Sequence, residues 1–320
     1  MRKILVTGGA GFIGSHLAER LLASGDAVVV LDSFDSYYDP SIKRRNISRA
    51  LADGGERYAL VEGDIRDNRI LDGLFSAHRI DVVVHLAARA GVRPSIEHPV
   101  LYQDVNVTGT SNVLEACRRN GVNRLIFGSS SSVYGNTDRS PFSEDARIDR
   151  PVSPYAATKA ANELQCYTYH HLFDMNIFCL RFFTVYGPRQ RPEMAIHKFA
   201  RLILEGTPLP RFGDGRTERD YTYIDDILDG ITRAIDRVRG YGIYNLGESR
   251  RVPLTRLIEI LEEECGRKAK IEERPEQPGD VRMTCADITR ARADLGYDPQ
   301  VPIEEGIRRF VAWLRSEGRV

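Results

Sequence analysis

The chain of 320 residues carries 45 lysines and arginines against 45 aspartates and glutamates, and this zero formal net charge argues against nucleic acid as the main partner. Its apolar runs are too short for a membrane span or a secretory signal, so we expect no membrane partner. Its five cysteines lack CxxC spacing, which predicts reduced, buried thiols in a cytoplasmic protein, and no His/Cys/Asp cluster has the spacing of a metal site.

Apolar strand-like runs alternate with helix-length segments through the first half of the chain. The predicted strands are, in chain order, KILVTGG, AVVVLDS, YALVEGD, DVVVHLAA and RLIFGSS, with helices such as SHLAERLLASG and GTSNVLEACRRNG between them. Because these runs lack polar alternation, they predict strands buried on both faces of a parallel sheet. Right-handed crossovers then give an α/β fold with a doubly wound Rossmann sheet. A long helix around 155–173 and a sixth strand, NIFCLRFFTVYG, follow.

The pattern changes beyond residue 187, where several prolines interrupt it. Two amphipathic helices near 254–265 and 303–316, joined through the Pro/Gly-rich ERPEQPGD, predict a smaller α/β C-terminal domain over the sheet edge. YTYIDDILDGITRAIDR and YGIYNLG are expected to return to the large domain. The predicted division is therefore 1–186 with 223–247, against 187–222 with 248–320.

Gly8, Gly11 and Gly14 in TGGAGFIGS lie between the first strand and the first helix. Their GxxGxxG spacing is not the common GxGxxG, yet such small residues let backbone N–H groups approach a pyrophosphate; a tight structural turn is the alternative. Asp32 ends the second strand, where a carboxylate can accept from a ribose 2′-OH. It would repel a 2′-phosphate, which favours NAD over NADP. Asp64 falls where the adenine edge is expected.

Tyr155 and Lys159 are four residues apart on the predicted long helix and so share one face. The ordinary pKa of a tyrosine is about 10, and a neighbouring ammonium together with a positively charged nicotinamide would lower it towards the working pH. The alternative is a solvated helix face. The dinucleotide loop and the hydroxyl-rich FGSSSSVYG favour a proton-handling site instead.

TGGAGFIG, HLAA, SSSSVYG, YAATK and RFFTVYGP together resemble the extended short-chain dehydrogenase/reductase family, and within it the NAD-dependent nucleotide-sugar epimerases. The resemblance implies an NAD-binding large domain and a nucleotide-sugar-binding smaller one. It implies that Ser130 supplies the catalytic hydroxyl, that Tyr155 is the base, and that Lys159 binds the nicotinamide ribose. The further cofactor contacts that it implies are Phe12, Ile13, Ser33, Lys43, Ile65, Leu86, Ala87 and Ala88.

Ser131 and Ser132 stand where the related dehydratases carry Asp-Glu, and where the related UDP-glucuronate decarboxylases carry Glu just before VYG. Those reactions recruit an additional carboxyl group. Oxidation and re-reduction at C4 of a sugar need one acid/base couple, which Tyr155 supplies through Ser130. The serines therefore predict an epimerase rather than a dehydratase or a decarboxylase.

Thr184 in RFFT and Gln277 in QPGD stand where UDP-glucose epimerases carry Asn and a basic residue. Together with FDSYYDPSIKRRN and GPRQRPEM they resemble UDP-glucuronate 4-epimerases. Thr184, Ser131 and Ser132 offer neutral donors for a C6 carboxylate. We expect 4-epimerisation of UDP-glucuronate through a 4-keto intermediate. UDP-glucose or UDP-N-acetylglucosamine is the alternative substrate, and a non-catalytic dinucleotide-binding regulator or a net dehydrogenase is the alternative function.

For the UDP group, Arg219 and Arg191 are candidate pyrophosphate partners. Phe212 could stack on uracil, and Asp280 could accept from the ribose. Arg93, after the fourth strand, could face the pyrophosphate or the sugar. Each has an alternative interpretation as a surface charge or a packed aromatic side chain.

The remaining expectations concern assembly and packing. The family implies a homodimer through a four-helix bundle made by the helices around 103–118 and 155–173. His85, just before the apolar LAA turn, is predicted to be a packed core histidine rather than a ligand.

Overall fold

The computed structural model describes residues 1–137, 139–275 and 281–318. The strands are β1 (Lys3–Thr7), β2 (Ala27–Asp32), β3 (Tyr58–Glu62), β4 (Val82–His85), β5 (Arg124–Ser130), β6 (Asn176–Phe182), β7 (Thr184–Tyr186), β8 (Pro208–Phe212), β9 (Glu218–Arg219), β10 (Tyr221–Tyr223), β11 (Tyr241–Leu246), β12 (Val252–Pro253) and β13 (Lys270–Arg274). The helices are α1 (Phe12–Ala23), α2 (Pro40–Asp53), α3 (Asn68–Ala77), α4 (Val92–Glu97), α5 (Pro99–Tyr102), α6 (Gly109–Arg119), α7 (Pro154–Phe173), α8 (Ala195–Glu205), α9 (Ile224–Arg237), α10 (Leu254–Cys265), α11 (Thr289–Leu295) and α12 (Ile303–Ser316). Short 3₁₀ turns cover Gly55–Arg57 and Ser131–Tyr134, and a π-helical segment, Gln103–Thr108, joins α5 to α6.

A parallel sheet of seven strands forms the centre of the molecule, in the order β11-β6-β5-β4-β1-β2-β3. β2 and β4 are buried along their whole length, because their runs of valine and leucine face helices on both sides. Separate apolar clusters fill the two faces of the sheet. The strand order reverses between β1 and β4, which is where doubly wound sheets bind ligands. The predicted α/β doubly wound fold is confirmed.

The apolar run NIFCLRFFTVYG forms two strands, so the prediction of one strand was wrong here. β6 belongs to the large sheet, and the Phe183 N–H still donates to Leu246 O at 3.0 Å. The next N–H, that of Thr184, donates instead to Asp220 O at 3.0 Å, and β7 pairs in parallel with β10. The change of hydrogen-bond partner takes Thr184 out of the large sheet.

The later part of the chain contributes small sheets beyond the large one. β8 pairs in parallel with β13, and β9 pairs with β12. Pro208 and Pro210 are tolerated in β8 because its sheet has two strands, so one edge of β8 needs no ladder hydrogen bonds. β11 returns to the edge of the large sheet beside β6. Among the described residues, no helix combines the length and the apolar composition that crossing a membrane requires.

Candidate functional site

A cavity of about 510 Å³ opens at the carboxyl ends of β1, β2, β4 and β5, at the switch point of the sheet. Most of the residues singled out from the sequence meet there, although they come from segments that are far apart in the chain. Those that line it are Gly8, Gly11, Phe12, Ile13, Gly14, Asp32, Ser33, Lys43, Asp64, Ile65, Leu86, Ala87, Ala88, Ser130, Ser131, Ser132, Tyr155, Lys159, Thr184, Arg191 and Arg219.

The turn between β1 and α1 leaves no room for a side chain at two of its glycines. Gly8 has a φ of +69°, and a Cβ there would lie 2.8 Å from the backbone nitrogen of Ala87. A Cβ on Gly14 would lie 2.3 Å from the carbonyl oxygen of Gly8. Gly11, at the N-cap of α1, brings no side chain to this helix end, so the first N–H groups and the positive end of the helix dipole face the cavity. This arrangement suits a pyrophosphate.

Asp32 occupies the end of β2 and is 5% exposed. Its carboxylate accepts from the backbone N–H groups of Ala10 at 3.1 Å and Phe34 at 2.9 Å, and from the Lys43 ammonium at 3.2 Å. The ion pair with Lys43 was not predicted. Asp64 also lines the cavity, and hydrogen bonds from Arg66 hold its pKa below the ordinary value, so this carboxylate is already engaged by a neighbour.

The proton-handling side chains meet where the end of β5 faces the start of α7. The Ser153 hydroxyl caps this helix by accepting from the Ala156 N–H at 3.1 Å, which fixes the first turn around Tyr155. The Ser130 hydroxyl lies beside the phenol of Tyr155 and acts to lower its pKa. One turn further along, the Lys159 Nζ donates to the carbonyl oxygen of Gly128 at 2.6 Å.

Burial has the largest effect on the pKa values of Tyr155 and Lys159. It raises the pKa of Tyr155, while the interaction with Ser130 and the charge of Arg191 act against that rise. Burial also lowers the pKa of Lys159 to about 8. The lowering predicted for Tyr155 is therefore not a property of the chain by itself and depends on a further positive charge, such as that of a bound nicotinamide.

Ser131, Ser132 and Thr184 lie in the wall of the same cavity as Tyr155. The Ser132 hydroxyl is buried and has no hydrogen-bond partner among the residues that the structure describes. A buried hydroxyl is costly unless a ligand or water satisfies it. We therefore expect a polar group of a bound ligand to hydrogen-bond to this part of the wall.

A cluster of cationic and aromatic side chains lies in the cavity wall, and Arg191 is its one member that the sequence predicted to belong to the site. The guanidinium groups of Arg89 and Arg191 lie 5.3 and 5.5 Å from the ring centroid of Tyr37, and Arg89 also pairs with Asp35 at 3.1 Å. Asp35 and Tyr37 belong to FDSYYD, Arg89 directly follows HLAA, and Arg191 belongs to GPRQRPEM. Their proximity is visible only once β2 and β4 are placed in the sheet.

The residues predicted to contact UDP are only partly brought together. Arg219 lines the cavity, and its Nη1 donates to the carbonyl oxygen of Glu218 at 2.9 Å. The guanidinium carbon of Arg93 lies 5.1 Å from the ring centroid of Phe212. Neither residue is among those that line the described cavity. Asp280 and Gln277 lie outside the described residues.

His85 is a core residue, as the sequence predicted. Its Nδ1 lies 2.7 Å from the Thr7 hydroxyl and its Nε2 lies 3.0 Å from the Thr110 hydroxyl. Burial lowers its pKa to about 3, so the ring is neutral. All five cysteines are buried and unpaired. In the described parts of the chain, no group of three or more His, Cys, Asp or Glu side chains could hold a metal ion.

The family model described as GDP-mannose 4,6 dehydratase matches residues 5–310. The chain belongs to this family. Its membership of the extended short-chain dehydrogenases/reductases, predicted from the motifs, is confirmed. Within the family, the UDP-glucuronate 4-epimerase of Thermodesulfobacterium geofontis is 44% identical over 313 residues, which cover 98% of this chain and 96% of the relative.

Solved structures of the family share the whole fold. The UDP-glucuronic acid 4-epimerase from Bacillus cereus, in complex with UDP-glucuronic acid and NAD, gives a TM-score of 0.91 at 38% identity and covers 98% of this chain and 99% of that one. The UDP-glucose 4-epimerase from Thermotoga maritima with UDP-glucose also gives 0.91, at 32% identity and the same coverage.

Proposed function

We propose that this protein catalyses the NAD-dependent 4-epimerisation of UDP-glucuronate to UDP-galacturonate. The observation that carries the proposal is the buried Ser132 hydroxyl, which finds no hydrogen-bond partner within the described part of the chain and lies in the same cavity wall as Ser130 and Tyr155. The epimerase relatives, one of them solved with UDP-glucuronic acid and NAD, support it.

NAD fits the described residues around the glycine turn. Gly8 and Gly14 permit the close backbone approach that a pyrophosphate needs, Asp32 would receive the adenine ribose, and Lys159 would reach the nicotinamide ribose. When bound, NAD supplies a hydride acceptor and donor for C4 of the sugar. Residues 1–186 with 223–247 would form the domain that holds it, and 187–222 with 248–320 the domain that holds the nucleotide sugar.

Tyr155 takes and later returns the proton of the sugar 4-hydroxyl. Ser130 orients that hydroxyl towards the phenol of Tyr155. A phenol whose pKa is raised by burial is a poor base, so positive charge near the phenolate favours the reaction. Arg191 contributes part of that charge from the chain itself. Proton transfer therefore depends on full assembly of the site.

Ser131, Ser132 and Thr184 hold the C6 carboxylate. Oxidation at C4 of a glucuronosyl group gives a β-keto acid, which loses CO₂ when the C5–C6 bond aligns with the π-system of the carbonyl. Short hydroxyl side chains at a strand end can hold the carboxylate out of that alignment. The absence of Asp-Glu at Ser131 and Ser132 also disfavours the dehydratase reaction that the family description names.

We also propose which side chains bind the UDP group. Arg219 and Arg191 line the cavity and suit the pyrophosphate. Phe212 would stack on uracil with Arg93 beside it, and Asp280 would accept from the ribose.

A homodimer is proposed on the exposed apolar side chains of α7. Leu164, Tyr167 and Leu172 are 66%, 51% and 60% exposed on this helix. Such a stripe is typical of a helix that packs against a partner. The buried, unpaired cysteines accord with a cytoplasmic location.

UDP-glucose is the second candidate substrate, because the Thermotoga maritima structure holds it on an equally similar fold. Purified protein would be incubated separately with UDP-glucuronate, UDP-glucose and UDP-N-acetylglucosamine, and the products resolved by NMR. We expect UDP-galacturonate as the main product. Faster turnover of UDP-glucose would move the specificity to the alternative, and no turnover of any sugar would exclude the epimerase function.

A further inference from the structure

Glu163 on α7 contacts β5 one turn beyond Lys159. The Ser129 hydroxyl donates to Glu163 Oε1 at 2.6 Å, and the preceding residue, Gly128, accepts from Lys159 at 2.6 Å. Because residues spaced by four share a helix face, Tyr155, Lys159 and Glu163 lie in one row along α7. Gly128 and Ser129 are therefore each hydrogen-bonded to a member of that row, and Ser130, the next residue of β5, lies beside Tyr155.

Arg181 on β6 completes this contact. Its Nε and Nη2 donate to the two carboxylate oxygens of Glu163 at 2.9 and 2.7 Å, and both side chains are 2% exposed. Its Nη1 donates at 2.9 Å to the hydroxyl of Tyr134, in the turn that follows Ser130. The pair thus joins α7, β6 and the segment that carries the serines. A buried ion pair adds little net stability, so a role in fixing geometry accounts for it better.

We propose that Glu163 and Arg181 are positioning residues, which hold the Tyr155 phenol and the Ser130 hydroxyl in register by fixing α7 on the end of β5. This inference rests on the proposed function, because it concerns the proton transfer assigned there to Tyr155. A displacement of about 1 Å between reacting groups can cost roughly 100-fold in rate.

The carboxylate of Glu163 also acts on Lys159. Its negative charge raises the pKa of Lys159, against the burial that brings this pKa to about 8. The other titratable groups that face the ammonium are the thiols of Cys166 and Cys179 and the ring of His85. Burial raises the pKa of Cys179 and lowers that of His85, so both are neutral near pH 7. Loss of the Glu163 charge would therefore lower the pKa of Lys159. Because Lys159 is proposed to bind the nicotinamide ribose as an ammonium, kcat would then begin to fall at a lower alkaline pH.

Three variants test the contact with β5. Ser129→Ala removes the hydrogen bond but leaves the ion pair. Because the Ser129 hydroxyl is directed to Glu163, kcat for UDP-glucuronate should fall about 10-fold with KM little changed. Ser129→Thr keeps the hydroxyl and should restore kcat. The matched control is Tyr241→Phe, which removes a hydroxyl that donates to the backbone carbonyl of Glu163 at 3.2 Å, and it should leave kcat unchanged.

Glu163→Gln tests the charge. In this variant, the fall of kcat at alkaline pH should occur at a pH at least about half a unit lower than in the wild type. The inference is overturned if Ser129→Ala keeps kcat within about twofold of the wild type, or if a folded Glu163→Gln protein has the wild-type limb. If Glu163→Gln does not fold, the Ser129 pair of variants decides alone. A wild-type protein that turns over none of the sugars would defeat the proposed function first, and this inference with it.

Discussion

The ammonium of Lys43 lies 3.2 Å from the carboxylate of Asp32, and the two side chains form a buried ion pair in the wall of the cavity. The carboxylate expected to select NAD therefore stands beside a cation that it neutralises. Asp32→Asn should remove the repulsion of a 2′-phosphate and leave the ammonium free to attract one. We expect the ratio of NADP to NAD affinity to rise at least about 10-fold in cofactor titrations, equivalent to about 1.4 kcal/mol.

A second substitution separates the two charges. In the double variant Asp32→Asn, Lys43→Met, the gain in NADP affinity should disappear, because the attracting cation is gone. Unchanged cofactor selectivity in Asp32→Asn would mean that Asp32 does not contact the adenine ribose.

Tyr155→Phe removes one hydroxyl from the cavity wall and leaves the packing of α7 intact. The variant should fold and retain bound NAD, while kcat falls by roughly 10²–10⁴-fold, as expected for loss of an acid/base group. Ser130→Ala should have a milder effect, since a water molecule can relay the proton. Steady-state rates together with the cofactor content of the purified protein test this, and near-normal turnover by Tyr155→Phe would remove it from the mechanism.

Thr184→Val keeps the side-chain shape but removes one donor to the C6 carboxylate. A hydrogen bond to a charged group contributes about 1.5–3 kcal/mol, so kcat/KM for UDP-glucuronate should fall roughly 10- to 200-fold. UDP-glucose has no carboxylate and should be much less affected. A looser carboxylate should also release some decarboxylated UDP-4-keto-pentose, measurable by NMR. Equal losses on both sugars without that product would count against the carboxylate assignment.

Two buried carboxyl groups, of Asp220 and Asp226, and the half-buried one of Glu248 predict an unusual pH dependence of stability. Burial raises the pKa of Asp220 to about 6 and that of Glu248 to about 8, and the neighbouring Asp226 carboxyl contributes to the second shift. These values lie above those of the unfolded chain, so the folded protein binds more protons between about pH 4 and pH 8. The free energy of unfolding should therefore fall as pH rises through this range.

Thermal unfolding between about pH 5 and pH 8 measures this effect. The wild-type Tm should decline with rising pH, and Glu248→Gln should flatten the decline, because it replaces the group with the larger shift. Glu56→Gln, at an exposed position, is the control and should keep the wild-type slope. The same slope in Glu248→Gln as in the wild type would exclude this carboxyl as the source.

Parts of the site set by local spacing could be predicted from the sequence. Gly8 and Gly14 occupy one turn, and Tyr155 and Lys159 are neighbours on any helix, so their placement needs no tertiary information. The ends of parallel strands share one edge of the sheet, which is why Asp32 could also be assigned to the site.

Parts set by the packing of distant segments could not be predicted. Arg89 and Arg191 meet at Tyr37 only because the strand order of the sheet brings their loops together. The Glu163–Arg181 pair needs α7 to pack on the register of β5 and β6. The break between β6 and β7 occurs because the Thr184 N–H donates to Asp220 O rather than to the large sheet. This depends on tertiary packing, which an apolar run of sequence does not reveal.

We propose that C4 of UDP-glucuronate is oxidised and then reduced with its own hydrogen on the opposite face. The most direct test uses UDP-glucuronate that carries deuterium at C4, incubated with the purified protein in ordinary water and followed by NMR. We expect UDP-galacturonate that retains deuterium at C4. UDP-galacturonate with solvent hydrogen at C4, or no C4 epimer at all, would contradict it.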